Sequence, residues 1–253
     1  MQDLRRRLYI STIAEDAAEQ AALEGLGLEI ADFCTASNMD ETWEPYGRLG
    51  AEKMELPLPK TFHFPFAELC PCAIDPLVRR VTVQRHQQAL KLAQSRGIVR
   101  CVVHAGYIPV VYYPEWFVEQ SILYWRAFLD RQQGNFMLCL ENVLEPEPAL
   151  MRDIIDGVCD ARLRICLDVG HSAYSSSTPV SEWVDTLGGR IAQVHLHNND
   201  GKKDWHWPLG RGKLDIAALI DRLLSASPDV RFTLECLESA ESIQWLKDRG
   251  YLE

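Results

Sequence analysis

Residues 164–171 read RICLDVGH, a nearly continuous apolar run that ends in Asp168 and His171. A strand covered by helices on both faces shows this pattern, whereas a strand with one solvated face alternates apolar and polar residues. Seven other short β-like runs occur along the chain: LYIST (8–12), LEIADF (28–33), TFHFP (61–65), CVVHAG (101–106), FMLCLEN (136–142), IAQVHLHN (191–198) and RFTLEC (231–236). The sequence therefore predicts eight strands, several of them buried on both faces as in a parallel sheet.

Amphipathic stretches separate these runs. Helical spacing of apolar residues predicts helices at 75–96, 115–133, 147–159, 215–225 and 239–249, with a short one near 181–187. Helix starts are expected at Asp75-Pro76, Asp215 and Ser239. Eight strand–helix units predict an α/β fold, a closed (β/α)8 TIM barrel, as a single domain over residues 1–253. The Pro- and Gly-rich stretch 34–60 is expected to form an extended active-site loop.

The composition narrows the class of protein. The chain has 253 residues, of which 47% are hydrophobic and 25% charged, so it is neither disordered nor fibrous. A net charge of −10 argues against a nucleic acid partner, because duplex DNA binders usually carry a basic face. There is no apolar run of membrane-spanning length and no signal peptide pattern at the start. We therefore expect no membrane association and a cytoplasmic location.

We expect the eight cysteines to be free thiols, because a chain of this length does not need disulfides to fold. Those within apolar runs are predicted to be small buried side chains: Cys101, Cys139, Cys166 and Cys236. Cys70 and Cys72 form a C-x-C pair, which is too sparse for a structural zinc site, although a redox or metal role stays open.

Polar side chains interrupt the apolar runs near their ends: His63, His104, Glu141, Asp168, His171, His195, His197 and Glu235. In a TIM barrel the carboxyl ends of all strands meet at one face, where active sites are built. A single histidine there is more often a packed, hydrogen-bonded residue than a metal ligand. However, six of the seven histidines lie at or just beyond strand ends, and only His86 falls in a predicted helix. Converging carboxylates need a cation, so the pattern predicts a divalent metal site.

The loop at 198–215, NNDGKKDWHWPLGRGKLD, is a second candidate region. Asp204 and His206 form a D-x-H pair that would add ligands if the loop folds over the barrel mouth. Its positive charges would suit a phosphate or carboxylate on a small substrate, and a solvated turn explains them equally well: Lys202, Lys203, Arg211 and Lys213.

Several of these motifs resemble the xylose-isomerase-like TIM-barrel superfamily: HAGY (104–107), LEN (140–142), LDVGH (167–171), VHLHNNDGKKDWHWPLGRGKLD (194–215) and TLE (233–235). The resemblance extends from His63 to Glu235. The superfamily includes ketose 3-epimerases, inosose dehydratases, hydroxypyruvate isomerase and the endonuclease-four family. One departure is Arg211, at a position where an acidic residue is frequent.

The resemblance implies a metal-dependent sugar isomerase or epimerase. One divalent ion, Mn²⁺ or Zn²⁺ with Mg²⁺ or Co²⁺ as alternatives, would be held by Glu141, Asp168, His195 and Glu235. Glu141 and Glu235 would also move a proton on a sugar or sugar-phosphate-like carbonyl substrate through an enediolate held by the ion. The predicted substrate-binding residues are His63, His104, His171, His206 and Arg211.

Two alternatives remain open from sequence. An endonuclease-four-like phosphodiesterase that acts on abasic DNA would hold three zinc ions with the extra ligands His63, His104, His171, Asp204 and His206. The acidic net charge, the VLEPEP segment after LEN and the D-V-G-H motif argue against it. The other alternative is a non-catalytic sugar-binding barrel. The sequence leaves the oligomeric state open, with a homo-oligomer as one option.

Overall fold

The computed structural model describes residues 3–40 and 45–253. Eight parallel strands form a closed barrel in chain order: β1 (Leu8–Ser11), β2 (Gly27–Ile30), β3 (Lys60–His63), β4 (Arg100–His104), β5 (Met137–Glu141), β6 (Leu163–Asp168), β7 (Ile191–Leu196) and β8 (Arg231–Leu234). Strand β8 pairs with β1 and closes the barrel. The predicted (β/α)8 TIM barrel is confirmed.

Helices surround the barrel: α1 (Ala17–Glu24), α2 (Tyr46–Glu55), α3 (Pro76–Ser95), α4 (Pro114–Asp130), α5 (Pro148–Val158), α6 (Val169–Ser175), α7 (Val180–Leu187), α8 (Ile216–Ala226) and α9 (Ala240–Asp248). The predicted helices agree with these bounds to within a few residues. Across residues 3–40 and 45–253, no helix combines the length and the apolar character that crossing a bilayer requires.

The expected extended loop at 34–60 is largely helical, so that prediction is wrong. It contains a 3-10 helix (Ala36–Met39) and helix α2, while residues 41–44 lie outside the described part of the chain. The glycines that indicated a loop instead permit close packing. A Cβ atom on Gly50 would lie 2.8 Å from the Cβ of Asp32, and one on Gly47 would overlap the carbonyl oxygen of Asn38.

Two of the three predicted helix starts are confirmed by their hydrogen bonds. The Asp75 carboxylate accepts from the Leu77 amide at 2.7 Å, and that of Asp215 accepts from the Ala218 amide at 3.1 Å. Ser239 precedes α9 but does not cap it with its own side chain. Instead, the carboxylate of Asp16 accepts from the Ser239 hydroxyl and from the backbone amides of Ser239 and Ala240. A partner 223 residues away in sequence supplies this cap.

Strand register sorts the barrel interior into layers. Asp168 pairs with His195, and His104 with Glu141, so these strand-end side chains lie side by side. The upper layer holds the strand-end side chains His63, His104, Glu141, Asp168 and His195, and Glu235 follows β8 directly. The layer below is formed by the side chains two residues earlier on the same strands, together with Glu29, which pairs with Thr61: Thr61, Val102, Cys139, Cys166, Gln193 and Thr233. The face that carries the predicted site is therefore built by register.

All eight cysteines lie in the described residues, and all are free thiols. Cys101, Cys139, Cys166 and Cys236 are buried, as predicted. The Sγ atoms of Cys70 and Cys72 lie 3.5 Å apart in a buried position. A redox or metal role for this pair stays a prediction.

The histidine predicted to lie in a helix is a core residue. His86 is buried in α3, stacks on Trp125 with ring centroids 5.9 Å apart, and is hydrogen-bonded through Nδ1 to the Tyr124 hydroxyl at 2.8 Å. Burial among these rings lowers the pKa of His86 to about 3. The folded protein therefore keeps this imidazole neutral under conditions in which an unfolded chain would protonate it.

We expect the free energy of unfolding of His86→Gln to fall less than that of the wild type as the pH is lowered. Between about pH 6.5 and pH 3 the unfolded wild type binds a proton at His86 that the folded state refuses, so its stability falls as the pH falls. The variant keeps an acceptor for the Tyr124 hydroxyl, but its side chain cannot titrate. The slopes of the free energy of unfolding against pH should therefore differ between the two proteins by about 1.4 kcal/mol per pH unit. Urea unfolding from pH 7 to pH 4 measures this, and parallel curves for the two proteins would contradict it.

Candidate functional site

Three groups of possible metal ligands meet at the carboxyl ends of the strands. In each group, one ligand atom per residue lies within 4.8 Å of the others. The central group is Glu141, Asp168, His195 and Glu235; the second is His63, His104 and Glu141; the third is His171, His197, Asp204 and His206. We call these ten side chains together the cup.

The central group surrounds Nδ1 of His195. This nitrogen lies 3.1 Å from Oε1 of Glu141, 3.2 Å from Oε2 of Glu235 and 3.7 Å from Oδ2 of Asp168. Oε2 of Glu235 is buried and has no hydrogen-bond partner among the described residues. Three carboxylates and one imidazole are donors that suit Mn²⁺, Zn²⁺ or a similar divalent ion, so the residues present fit such an ion.

The second group shares Glu141 with the first. Oε2 of Glu141 lies 3.1 Å from Nε2 of His63 and 3.4 Å from Nε2 of His104, whereas its Oε1 faces His195. Phe66 stacks on His104 with ring centroids 4.0 Å apart and forms an apolar side of the cup. Glu141 is thus placed to serve two groups at once.

The third group is completed by the loop after β7. Oδ2 of Asp204 lies 3.2 Å from Nε2 of His171 and 3.0 Å from Nε2 of His206. The loop turns back because the amide and carbonyl of Asn198 pair with those of Trp207 at 2.9 and 3.0 Å. The structure thus brings the D-x-H pair to the mouth, as the sequence predicts for a loop that folds over it.

The D-V-G-H motif is explained by local geometry. Asp168 ends β6 and caps α6, because its Oδ1 accepts from the amide of His171 at 2.6 Å. Gly170 leaves room for the third group, since a Cβ atom there would lie 2.0 Å from Cε1 of His197. Asn142 links β5 to β6 by donating to the Asp168 carbonyl at 3.0 Å and accepting from the Asp168 amide at 2.9 Å. The motif therefore aims one carboxylate and one imidazole into the cup.

The charges in the cup depend on one another. Burial alone would raise the pKa of Glu141, but the charge of His195 and hydrogen bonds from His171 and His195 hold it well below its usual range. Asp168 is likewise buried, and His171 and His197 hold its pKa below the usual range. Burial lowers the pKa of His104 to about 3, which leaves that imidazole neutral and able to donate a lone pair.

Two residues of this region were missed in the candidate set drawn from sequence. His197 was seen at a strand end, but its place beside Asp168, at 3.1 Å, was not predicted. The H-L-H spacing was the available signal, since residues two apart in a strand share a face. Glu29 lies below the cup with its Oε1 2.8 Å from Nε2 of His195. The sequence feature that indicates Glu29 is a carboxylate inside the apolar run LEIADF.

One predicted residue has its contacts elsewhere. Arg211 is exposed, and its guanidinium lies over the Trp207 ring at 4.4 Å from the centroid. Its backbone amide bonds to Pro208 of the same loop. A role for Arg211 in substrate binding stays a prediction, as do the roles of the other site residues.

Comparison with known proteins settles the family. Residues 12–249 match the sequence family described as the xylose isomerase-like TIM barrel. The chain belongs to this family. Among solved structures, this xylose isomerase-like barrel is similar to the TTHB071 protein of Thermus thermophilus soaked with ZnCl₂. The two are 27% identical, with 96% of this chain and 97% of that chain covered and a TM-score of 0.73.

The chain is also similar to three curated proteins and to a second solved structure. The family member is 26% identical over 205 residues to the uncharacterized protein MJ1311 of Methanocaldococcus jannaschii, which covers 76% of this chain and 69% of the relative. Two other uncharacterized proteins of that organism are matched over 62% and 65% of their lengths. A D-tagatose 3-epimerase-like protein shares the fold at 20% identity, with 97% of this chain and 96% of that chain covered and a TM-score of 0.76.

We expect divalent ions to raise the melting temperature of the purified barrel. An ion that binds only the folded state, at 100 times its dissociation constant, adds about 2.7 kcal/mol to the free energy of unfolding. Asp168→Asn removes a carboxylate of the central group and should reduce this gain. Differential scanning calorimetry before and after addition of Mn²⁺ or Zn²⁺ to chelator-treated protein measures it.

The matched control for this experiment is Asp185→Asn. Asp185 is exposed and pairs with Arg222 on the surface, so this variant should respond to the ions as the wild type does. An Asp168→Asn variant that gains as much as the wild type would contradict a metal role for the central group.

Proposed function

We propose that this family member is a divalent-metal-dependent isomerase or epimerase of a sugar or sugar-phosphate-like polyhydroxy carbonyl compound. The observation that carries the proposal is the pair formed by Glu141 and Glu235, whose carboxylate oxygens lie 3.1 and 3.2 Å from the same nitrogen of His195. Inverting a carbon beside a carbonyl group removes a proton from one face and returns one to the other face, which two acid–base groups can do. Two carboxylates at one buried position meet that requirement.

The central group would hold the ion through Glu141, Asp168, His195 and Glu235. When bound, the ion would supply Lewis-acid polarisation of a substrate carbonyl oxygen. Mn²⁺ and Zn²⁺ are the ions we favour, with Mg²⁺ or Co²⁺ as alternatives, because nitrogen and oxygen donors without thiolates suit all four.

The chain's own groups divide the proton transfer between them. Glu141 is held ionised by its histidine neighbours, so its carboxylate is in the form that can accept a proton. Oε2 of Glu235 has no hydrogen-bond partner among the described residues, and this carboxyl group would return the proton. Asp168 is fixed by the His171 amide and keeps a ligand role. The imidazoles of His63, His104, His171 and His206 would bind substrate hydroxyls.

The family and the metal-compatible donors support this proposal. The name of the D-tagatose 3-epimerase-like neighbour is in line with it, although likeness at 20% identity concerns the fold. We further propose a small-molecule partner and a cytoplasmic location. Eight free thiols fit a reducing compartment.

We expect Glu141→Gln and Glu235→Gln each to lower turnover by about 10²- to 10⁴-fold, the usual contribution of one acid or base. The assay is exchange of deuterium from D₂O into a panel of ketoses, aldoses and their phosphates, followed by NMR with Mn²⁺ or Zn²⁺ supplied. Glu147→Gln and Glu238→Gln remove nearby exposed carboxylates and serve as matched controls. Full exchange by either active-site variant would refute the acid–base assignment.

A second candidate function is a zinc phosphodiesterase acting on abasic DNA. The specific observation in its favour is that three donor groups lie together and that Glu141 belongs to two of them. The net charge of −10 argues against a DNA substrate, because phosphate backbones are bound by basic surfaces.

Counting ions separates the two candidates. We expect plasma mass spectrometry of protein loaded and then dialysed to give about one tightly held ion per chain, with no cleavage of a duplex that contains an abasic site. Three zinc ions per chain together with cleavage would replace the isomerase proposal. Bound metal without turnover across the sugar panel would instead favour a non-catalytic sugar-binding barrel.

A further inference from the structure

Glu29 is a fully buried carboxylate in the barrel interior, one layer below the cup. Its Oε2 accepts hydrogen bonds from the hydroxyls of Thr61 at 3.0 Å and Thr233 at 2.9 Å, and Nε2 of Gln193 lies 3.5 Å away. These donors come from three strands, β3, β8 and β7. The carboxylate is therefore held from several sides and has little freedom to turn.

The other oxygen of Glu29 is directed at the cup. Its Oε1 lies 2.8 Å from Nε2 of His195. Both atoms are buried and have no hydrogen-bond partner of good geometry within the described residues, so this ion-pair contact is what joins them. The opposite nitrogen of the same ring, Nδ1, faces Glu141 and Glu235. His195 thus lies between a carboxylate below and the central group above.

When Nδ1 gives its lone pair to an ion, the proton of a neutral His195 would stay on Nε2, which faces Glu29. A carboxylate can only accept, so Oε1 of Glu29 favours a proton on Nε2. A neutral imidazole with its proton on Nε2 presents the lone pair of Nδ1 to the central group. A carboxylate behind a ligating histidine also fixes the ring orientation and raises its basicity.

A carboxylate at this position is costly unless it has partners. Moving an ionised group out of water carries a penalty of several kcal/mol, and apolar side chains of similar volume fill such positions well. The neighbouring interior positions on β4, β5 and β6 are in fact apolar or thiol side chains: Val102, Cys139 and Cys166. The polar side chains of this layer are joined by hydrogen bonds: Glu29, Thr61, Gln193 and Thr233.

We propose that Glu29 is a positioning residue that acts through His195 and sets the affinity of the central group for a divalent ion. The inference rests on the metal site of the proposed function. The competing explanation is that Glu29 merely fills the barrel with a satisfied polar network. That explanation predicts an effect on stability alone.

The experiment compares Glu29→Gln with the wild type in two measurements. Competition with a fluorescent chelator gives the dissociation constants for Mn²⁺ and Zn²⁺, and we expect the variant to bind about 10- to 100-fold more weakly. Nitrogen-15 NMR of labelled histidine shows whether Nε2 of His195 carries a proton that exchanges slowly and is shifted downfield. We expect that proton in the wild type and its loss or upfield shift in the variant.

Cys139→Ala is the matched control, because Cys139 is equally buried in the same layer but lies on the apolar side. It should leave the dissociation constants unchanged. Equal affinities in the wild type and Glu29→Gln overturn the proposal, as does an Nε2 without a proton in the wild type. The second result needs no variant, so it decides the question even if Glu29→Gln fails to fold.

The experiment distinguishes the absence of a metal site from the absence of a role for Glu29. A wild type that binds neither ion overturns the metal-dependent function and the affinity role together, while the NMR signal still reports on the contact between Glu29 and His195. A wild type that binds ions normally, with no change on Glu29→Gln, overturns only the role of Glu29.

Discussion

Mutual repulsion among buried carboxylates constrains this protein more than any other interaction. Glu141, Asp168 and Glu235 offer oxygens within 4.8 Å of one another and have little access to water. Charges in such a place are tolerated only when opposite charge and hydrogen bonds compensate them. Imidazoles supply this compensation here, because each of the three carboxylates lies within 4 Å of at least one histidine nitrogen. The concentration of six histidines at one end of the barrel follows from the same requirement.

Parallel register makes such a cluster from residues that are far apart in sequence. Asp168 and His195 are paired neighbours across β6 and β7, and His104 and Glu141 are paired across β4 and β5. A slip of one residue in any strand would turn its functional side chain toward the helices. The apolar residues between the polar ones pack outward against the helices, so the core that stabilises the barrel also fixes the height of each ligand. Stability and site geometry therefore depend on the same alternation.

The sequence predicts the parts that depend on local periodicity. The eight strands, six of the helices and the polar strand ends are predicted correctly, because burial on both faces and helical amphipathicity show in the local sequence; α1, α2 and α6 are not predicted. The parts set by long-range contacts were not visible. The cap that Asp16 provides to α9 spans 223 residues, and the glycines of α2 serve packing against Asp32 and Asn38 rather than turns. Local composition cannot distinguish these uses.

Glu29 shows why a residue buried below a site is harder to predict from sequence than the strand-end residues that line the site. Most residues of the cup lie at the ends of strands, and the sequence marks a strand end by the loop that follows it. A residue in the middle of a strand has no such marker, so a single carboxylate in an apolar run reads first as an irregularity. Yet a mid-strand position is more rigid than a loop position, since backbone hydrogen bonds fix it on both sides. A group that must hold a histidine ring in one orientation is better placed there than on the loops above.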